Sequence, residues 1–347
     1  MEPIRILITG AGGIVGQGIM KSLRCSSLSV KMIIADIDPL NAGLFRGEEG
    51  VLIPKVEEKG ALDSILDIIR KKKIQVVMIG SAFDLLFFAK HKDQIEGETG
   101  ALVIVSPLET VRIAGDKWMT VAFLRDHGFP YPRSFMPENI DEAVVMAEDM
   151  GYPVILKPRF GTGSRGMHLV RDEHQLRKVF DVDLSHILQQ CISLPEGRLK
   201  DEFTCSAFTC KKGKVVGTFV ARRVLKGGNS VIVEVVDVPE IHSLVQRIAE
   251  SLPSMGSLNV QLMLGKTGPV PFELNARLSG TIATRAHFGF NETEMVLRSY
   301  FLGEHISPPV IRKGLSLSYK EDVFLEGFSA NDLLAPPFPM GDVRTWF

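Results

Sequence analysis

Residues 259 to 280, NVQLMLGKTGPVPFELNARLSG, gather three oxygen-bearing side chains and one guanidinium in a short stretch. Glu273, Asn275 and Arg277 stand at i, i+2 and i+4, so strand periodicity sends all three to one face and Leu274, Ala276 and Leu278 to the other. Gln261 is the one polar residue between Val260 and Leu262-Met263-Leu264. The apolar runs either side of Gly265-Lys266-Thr267-Gly268 read as a β-hairpin. A five-residue loop over 265–269 sets Gln261 opposite Glu273 and on its face, whereas an even loop puts it on the wrong face. A carboxylate and two amide oxygens are hard donors that suit Mg²⁺, which keeps waters and shares its coordination with nucleotide phosphates. Arg277 suits the charge that builds on a migrating phosphoryl group. Ordinary polar residues on a solvated edge strand fit this stretch equally well, and the rest of the chain decides between the two.

A second stretch, GYPVILKPRFGTGSRGMHLV, has an apolar strand delivering Lys157 and a glycine loop returning into the strand MHLV. The loop, Gly161-Thr162-Gly163-Ser164-Arg165-Gly166, lies between two strands and lacks GxxxxGK[ST], so it is not a P-loop. A flap of backbone N–H donors beside a lysine suits covering a triphosphate and excluding water from it; a plain solvent hairpin is the alternative. Asp116-Lys117 opens a helix that runs to His127. Further on, Gln189 to Ile192 form a link whose backbone can read an adenine edge, and Glu202 is placed to hold a ribose. Arg222, Arg223 and Lys226 converge on Gly227-Gly228-Asn229-Ser230, giving phosphate or substrate contacts.

The elements that position these residues fall into three parts, residues 1–112, 113–188 and 189–347, in keeping with a prior of roughly 100 to 200 residues per domain. The first alternates strand and helix: IRILIT, a turn Gly10-Ala11-Gly12-Gly13 entering a helix, KMIIAD, a helix over 60–72, IQVVMI, Gly80-Ser81-Ala82-Phe83-Asp84, a helix over 85–92 and a strand over 101–105. This pattern specifies a doubly wound parallel sheet ending near residue 112. Its ligand-facing loops, Gly10 to Gly13 and Gly80 to Asp84, lie at the carboxyl ends of strands. The glycine turn together with Asp36 also fits a nicotinamide dinucleotide site. Arg70-Lys71-Lys72-Lys73 closes a helix and needs no function. The later part carries a hairpin turning at Lys212-Gly213, a helix over 240–252, a helix over 283–301, a strand LSLSYKEDVFL and a Pro-rich end.

The 347 residues carry a formal charge of −1 and 45% hydrophobic residues, which suits a soluble globular protein and gives no basic nucleic-acid surface. Cys25, Cys191, Cys205 and Cys210 lack metal-finger spacing and suggest neither a disulfide framework nor a zinc site. With no signal-type h-region and no apolar run of membrane length, the expectation is a cytoplasmic protein without membrane contact. A homodimer is the base-rate expectation for assembly.

Taken together, these residues resemble the ATP-grasp superfamily, in the branch of the carbamoyl-phosphate synthetase large subunit. The resemblance covers about residues 4 to 300. It is carried by ILITGAGGIVGQG, YPVILKPRFGTGSRGM and NVQLML…PFELNARLSG. It implies a pre-ATP-grasp domain, a small lid and a larger C-terminal subdomain gripping ATP. In it Lys117 and Lys157 match phosphate-contacting positions, Glu202 the ribose-binding position, and Gln261, Glu273 and Asn275 the metal ligands. Two Mg²⁺ ions, with Mn²⁺ as an alternative, are bridged by Glu273, and Arg277 stands near the transferred phosphate. The expected nucleotide set is completed by Gly161, Gly163, Ser164, Gly166, Gln190, Cys191, Ile192 and Met263. Gly12, Gly13, Asp84, Arg223 and Arg285 are expected on the substrate, with His287 as a further carboxylate contact.

The reaction implied is activation of a carboxylate to an acyl phosphate, followed by attack of an amine or ammonia. No side chain is required as a covalent nucleophile, and no Ser/His/Asp or Cys/His arrangement stands out among the eight histidines. Carbamoyl-phosphate synthetase has two ATP-grasp halves, an allosteric region and a glutaminase partner. One half alone implies a stand-alone carboxylate–amine ligase, the alternatives being an ATP-binding regulator without turnover and a nicotinamide oxidoreductase.

Overall fold

Short aliphatic strands buried on both faces, joined by amphipathic helices, assemble the N-terminal unit of the computed structural model, which describes residues 2–161, 163, 165–181, 183–192, 202–326, 329–334 and 343–344. The elements are β1 (Ile4–Ile8), α1 (Ile14–Arg24), β2 (Val30–Asp36), β3 (Glu49–Leu52), α2 (Ala61–Lys72), β4 (Val76–Met78), α3 (Leu85–Thr99), β5 (Leu102–Ile104) and α4 (Leu108–Gly115). All five strands are parallel, in the order β3-β2-β1-β4-β5. Side chains alternate along β1: Leu7 enters one core with Ile33, Val77 and Phe88, while Ile6 and Ile8 enter a second core. That second core contains Phe208, Phe219, Ile282 and Phe290 from the C-terminal half, so the parallel sheet is fused to it through apolar packing.

The middle segment comprises α5 (Lys117–Asp126), β6 (Ser134–Phe135), α6 (Ile140–Met150), β7 (Val154–Pro158), β8 (His168–Val170), α7 (Glu173–Val179) and β9 (His186–Gln190). Its antiparallel sheet has the order β6-β9-β7-β8. Val154, Leu156, Val170 and Leu188 pack on Ala143, Ala147 and Leu176, so α6 and α7 cover one face and Lys157 is free to leave the other.

A larger antiparallel sheet follows, built from β10 (Glu202–Thr209), β11 (Val215–Lys226), β12 (Asn229–Val235), β13 (Gly256–Gly265), β14 (Gly268–Asn275) and β15 (Gly314–Leu317), in the order β14-β13-β10-β11-β12-β15. Helix α8 (Pro239–Ser251) covers one face through Ile241, Leu244, Val245 and Ile248.

Several elements differ from the sequence expectation. The helix expected over 283–301 divides into α9 (Ile282–His287) and α10 (Glu292–Val296), the latter continued by a π-turn over Leu297–Phe301. Gly289 makes the break: its φ is +101°, and a Cβ there would lie 2.2 Å from the Val310 carbonyl oxygen. Helix α3 runs to Thr99, well past the expected 92, until Gly100 caps it in the left-handed conformation.

The β13–β14 hairpin reaches the expected pairing by another route. Gly265 pairs with Gly268, so the turn holds only Lys266 and Thr267, an even loop. A β-bulge then places Phe272 as an extra residue, shifting the register between Leu262–Pro271 and Gln261–Glu273. The bulge restores the phase that the turn alone would have reversed.

Candidate active site

The bulge delivers Glu273 beside Gln261, and the four polar residues of the hairpin meet there. The Oε1 atom of Glu273 accepts from Gln261 Nε2 at 3.2 Å and from Asn275 Nδ2 at 2.9 Å. Strand β14 ends at Asn275, so Arg277 arrives from a tight turn in which its N–H donates to the Asn275 carbonyl at 2.9 Å. Its guanidinium returns to Asn275 Oδ1 at 3.2 Å and to the Leu278 carbonyl at 2.9 Å. Arg277 has no carboxylate within ion-pair distance among the described residues. Burial, opposed by the charge of Glu273 and assisted by that of Arg285, pulls its pKa below the ordinary value.

The donors at this corner suit a hard divalent cation: one carboxylate and two amide oxygens, with no thiolate or imidazole. No group of three His, Cys, Asp or Glu side chains gathers as a metal site among the described residues, so a cation here relies on amides and on its ligand's phosphates. The amide oxygens are not idle. Gln261 Oε1 accepts from Arg223 Nη2 at 2.7 Å, and Arg223 holds Glu202 Oε1 through Nε at 2.9 Å and Nη2 at 2.7 Å. Arg223 thereby bridges the Glu202 carboxylate on β10 and the Gln261 amide on β13.

Two lysines face this cluster. Lys157 on β7 is 6% exposed, its Nζ 2.9 Å from Gln189 Oε1 and 5.8 Å from the centre of the Phe272 ring. Burial pushes its pKa down to about 8, against the pull of Glu273 and with help from Lys117. Lys117 opens α5, its Nζ 3.0 Å from the Gly161 carbonyl, and its pKa is also lowered by burial. Its helix is capped by Asp116, which accepts from Trp118 N at 2.9 Å and Met119 N at 3.3 Å. The same carboxylate holds Arg159 at 2.6 to 2.9 Å, pinning the start of α5 to the end of β7.

Lys117, Lys157, Gly161, Gly163, Gln190, Cys191, Ile192, Glu202, Met263 and Glu273 line one cavity of about 210 Å³. Met263 stands opposite Glu202 in the β10–β13 ladder. Gly166, with φ +68°, is not among the lining residues, and Ser164 lies outside the described residues. The flap rests on the turn between β11 and β12: a Cβ on Gly228, whose φ is +77°, would lie 2.4 Å from the Gly163 carbonyl oxygen. Only glycine allows this approach.

A second and larger cavity, about 820 Å³, lies between the glycine loops of the N-terminal sheet and the hairpin cluster. Gly13, Asp84 and Arg223 line it, as do Gln261, Glu273 and Arg277. Gly12 does not line it; its N–H donates to Asp36 Oδ2 at 2.9 Å. Asp36 also accepts from Ile37 N and Asp38 N, so it closes its own loops and is not free in the way a ribose acid needs. A third cavity, about 310 Å³, opens on the other side of Glu273, Asn275 and Arg277. Glu273 borders all three.

Arg285 departs from its expected place on the substrate. It is fully buried, 3.3 Å from Glu292, and its Nη2 donates to Thr204 Oγ1 at 3.2 Å and the Cys205 carbonyl at 3.3 Å. It lines none of the three cavities, because the break at Gly289 folds Glu292 back over it. His287 is exposed at the end of α9 and likewise lines none of them. Thr204 and Asn259, not singled out from the sequence, line the large cavity and hydrogen-bond each other at 3.2 Å. Period two from Gln261 puts Asn259 on the same face, which was the available signal.

Comparison with known proteins bears on the fold. The family model described as an ATP-grasp domain matches residues 114–281, and the PylC-like N-terminal domain matches residues 6–104. The carbamoyl phosphate synthase large chain of Helicobacter pylori is 23% identical over 304 residues, covering 80% of this chain and 27% of its own length. That of Thermus thermophilus is 25% identical over 233 residues, 64% of this chain and 22% of its own. The chain thus spans about a quarter of the length of these relatives. Among solved structures, N5-carboxyaminoimidazole ribonucleotide synthetase from Thermus thermophilus aligns with a TM-score of 0.70 at 18% identity over 89% of this chain and 82% of that one. The biotin carboxylase domain of 2-oxoglutarate carboxylase from Hydrogenobacter thermophilus, solved with MgADP and bicarbonate, aligns at 0.68 and 16% identity over 91% of this chain and 74% of that one. At such identities the likeness speaks for the fold. Residues 114–281 thus match an ATP-grasp domain, and they follow a PylC-like N-terminal domain over residues 6–104.

Proposed function

We propose that this protein is an ATP- and Mg²⁺-dependent ligase that activates a carboxylate as an acyl phosphate and joins it to an amine or ammonia, releasing ADP and phosphate. The observation that carries the reading is the shared wall between the 210 Å³ and 820 Å³ cavities, formed by Gly163, Arg165, Arg223, Gln261 and Glu273. A nucleotide in the smaller cavity would present its terminal phosphate at that wall, and an acid in the larger would present its carboxylate from the other side.

In this scheme Gln190 to Ile192, Glu202 and Met263 hold the nucleoside, and Lys117 and Lys157 orient the phosphates. Gln261, Glu273 and Asn275 would hold Mg²⁺, which supplies neutralisation of the phosphate charge. A carboxylate oxygen of the acid attacks the γ-phosphorus, and the bond to the β-phosphate oxygen breaks, leaving ADP. Arg277 balances the charge on the transferred phosphoryl group. The amine nitrogen then attacks the acyl carbon, phosphate departs, and the nitrogen releases its proton. The glycine flap excludes water that would otherwise hydrolyse the acyl phosphate.

Phosphate release from Mg-ATP, measured against a panel of carboxylic acids each with ammonia and with mixed amino acids, tests the reading. Release with one acid, lost in a folded Glu273→Ala variant, supports it. A fully active Glu273→Ala sinks the site assignment. Calorimetric ATP binding with silence across the panel favours an ATP-binding regulator instead.

A further inference from the structure

We propose that the acid taken into the 820 Å³ cavity carries an ammonium group at the end remote from its carboxylate. The inference rests on the ligase reading, since that reading brings the reacting carboxylate to the ATP-grasp wall of this cavity, which Arg277 also lines. The cavity is electrically two-sided. Its N-terminal wall presents Asp36, Glu57 and Asp84 against the single cation Lys55, and its ATP-grasp wall presents Arg165, Arg223 and Arg277 against the single anion Glu273.

The charges on the two walls stay largely uncompensated within the chain. Arg223 is matched by Glu202, but Arg165 and Arg277 have no carboxylate within ion-pair distance among the described residues. None of Asp36, Glu57 and Asp84 has a basic partner within that distance either. The hydrogen bonds of Asp36 come from neutral backbone amides, which fix the carboxylate without cancelling its charge. Asp84 sits deeper in the Gly80–Asp84 loop; burial, with the charges of Asp36 and Glu57, holds its carboxyl above the ordinary range against the hydroxyls of Thr9 and Ser81. This end of the cavity is short of positive charge, and a cationic ligand group supplies it.

The arrangement also rules on the alternatives. A neutral-tailed acid satisfies Arg277 and leaves the Asp84 end unmatched. A dicarboxylate brings a second anion against like charges, which costs affinity. An ω-amino acid matches both ends at once. A charge-assisted hydrogen bond contributes enough to separate the aminated acid from its deaminated counterpart by roughly ten- to hundredfold.

Calorimetric titration of the full chain in the presence of Mg-ADP tests this, using the straight-chain series from 4-aminobutanoate to 8-aminooctanoate beside the matching alkanoates and α,ω-diacids. The expected result is that some member of the aminated series binds at least about tenfold tighter than its alkanoate, with the diacids weakest. Asp84→Asn then shrinks that ratio toward unity and Asp84→Glu preserves it, with circular dichroism melts confirming both variants folded. Equal affinities across the series, preference for the alkanoates or diacids, or no binding by any member overturns the proposal. So does a ratio that survives Asp84→Asn. Binding of an ω-amino acid without phosphate release from Mg-ATP would count against the ligase reading alone.

Discussion

Arg277 and Arg285 are close in sequence, the first half-buried near Glu273 and the second fully buried against Glu292, and they end in opposite situations. Arg285 meets Glu292 directly at 3.3 Å with both side chains wholly out of solvent. Glu292 also accepts from Ser206 at 2.6 Å and from Ser257, so nearly every charge-bearing atom has a partner; only Arg285 Nε lacks one. Arg277 reaches Glu273 only through the intervening Asn275 amide, and both of them border cavities. A closed pair of this kind holds the fold, because removing one partner strands a buried charge. An open pair with unspent charge at a cavity wall is where a ligand supplies the missing partner.

The largest expected difference lies in stability. Glu292→Ala should lower the unfolding free energy by about 3–5 kcal/mol, measured by chemical denaturation, and the double replacement Arg285→Met/Glu292→Leu should recover most of it. If Glu292→Ala is as stable as the parent, the closed pair is not structural. Arg277→Ala should leave the melting curve near that of the parent while lowering turnover by about 10²–10³-fold, the loss typical of removing one group that stabilises transition-state charge. A variant that unfolds, or one that turns over normally, would erase the contrast between the two arginines.

Lys157 sharpens the comparison through pH. Its folded pKa of about 8 lies below the ordinary lysine value, so the folded protein loses this proton first as pH rises. Nucleotide affinity that depends on the charged amine should weaken above about pH 8, and a Lys157→Met variant should show a flat profile across that range. Between about pH 8 and the ordinary lysine value the unfolded chain binds more protons, so this group's contribution to stability rises with pH. The smallest effect is expected where Asp116 ties the start of α5 to the end of β7. Asp116→Ala removes both the α5 cap and the Arg159 clamp, and should cost about 1–2 kcal/mol in stability, with a raised KM for ATP as Lys117 loses its fixed helix start.

The parallel sheet was legible because short aliphatic strands alternate with helix-period segments, although the short strand β3 and the extension of α3 to Gly100 went unread. The hairpin was legible in pairing but not in route. Alternation set Gln261 against Glu273, while the bulge at Phe272 follows from tertiary demands, its ring turning toward Lys157. Arg285 was misplaced for a related reason: nothing local announces that the chain turns at Gly289 and returns Glu292 to neutralise it. The same holds for Arg159 and Asp116, whose pairing joins positions 43 residues apart. Periodicity reports which face a side chain takes, and it is silent on which distant charge waits there.

Glu273 stands at the junction of three compartments, and that has a consequence for inhibition. A single compound bearing an adenosine portion in one compartment and an ω-amino acid in the next would cross the shared wall with a short tether. Its second half would then bind at the effective concentration set by that tether, on the order of millimolar for a short flexible link. Joining two weak fragments through a phosphoryl mimic beside Glu273 should therefore yield a ligand far tighter than either fragment alone.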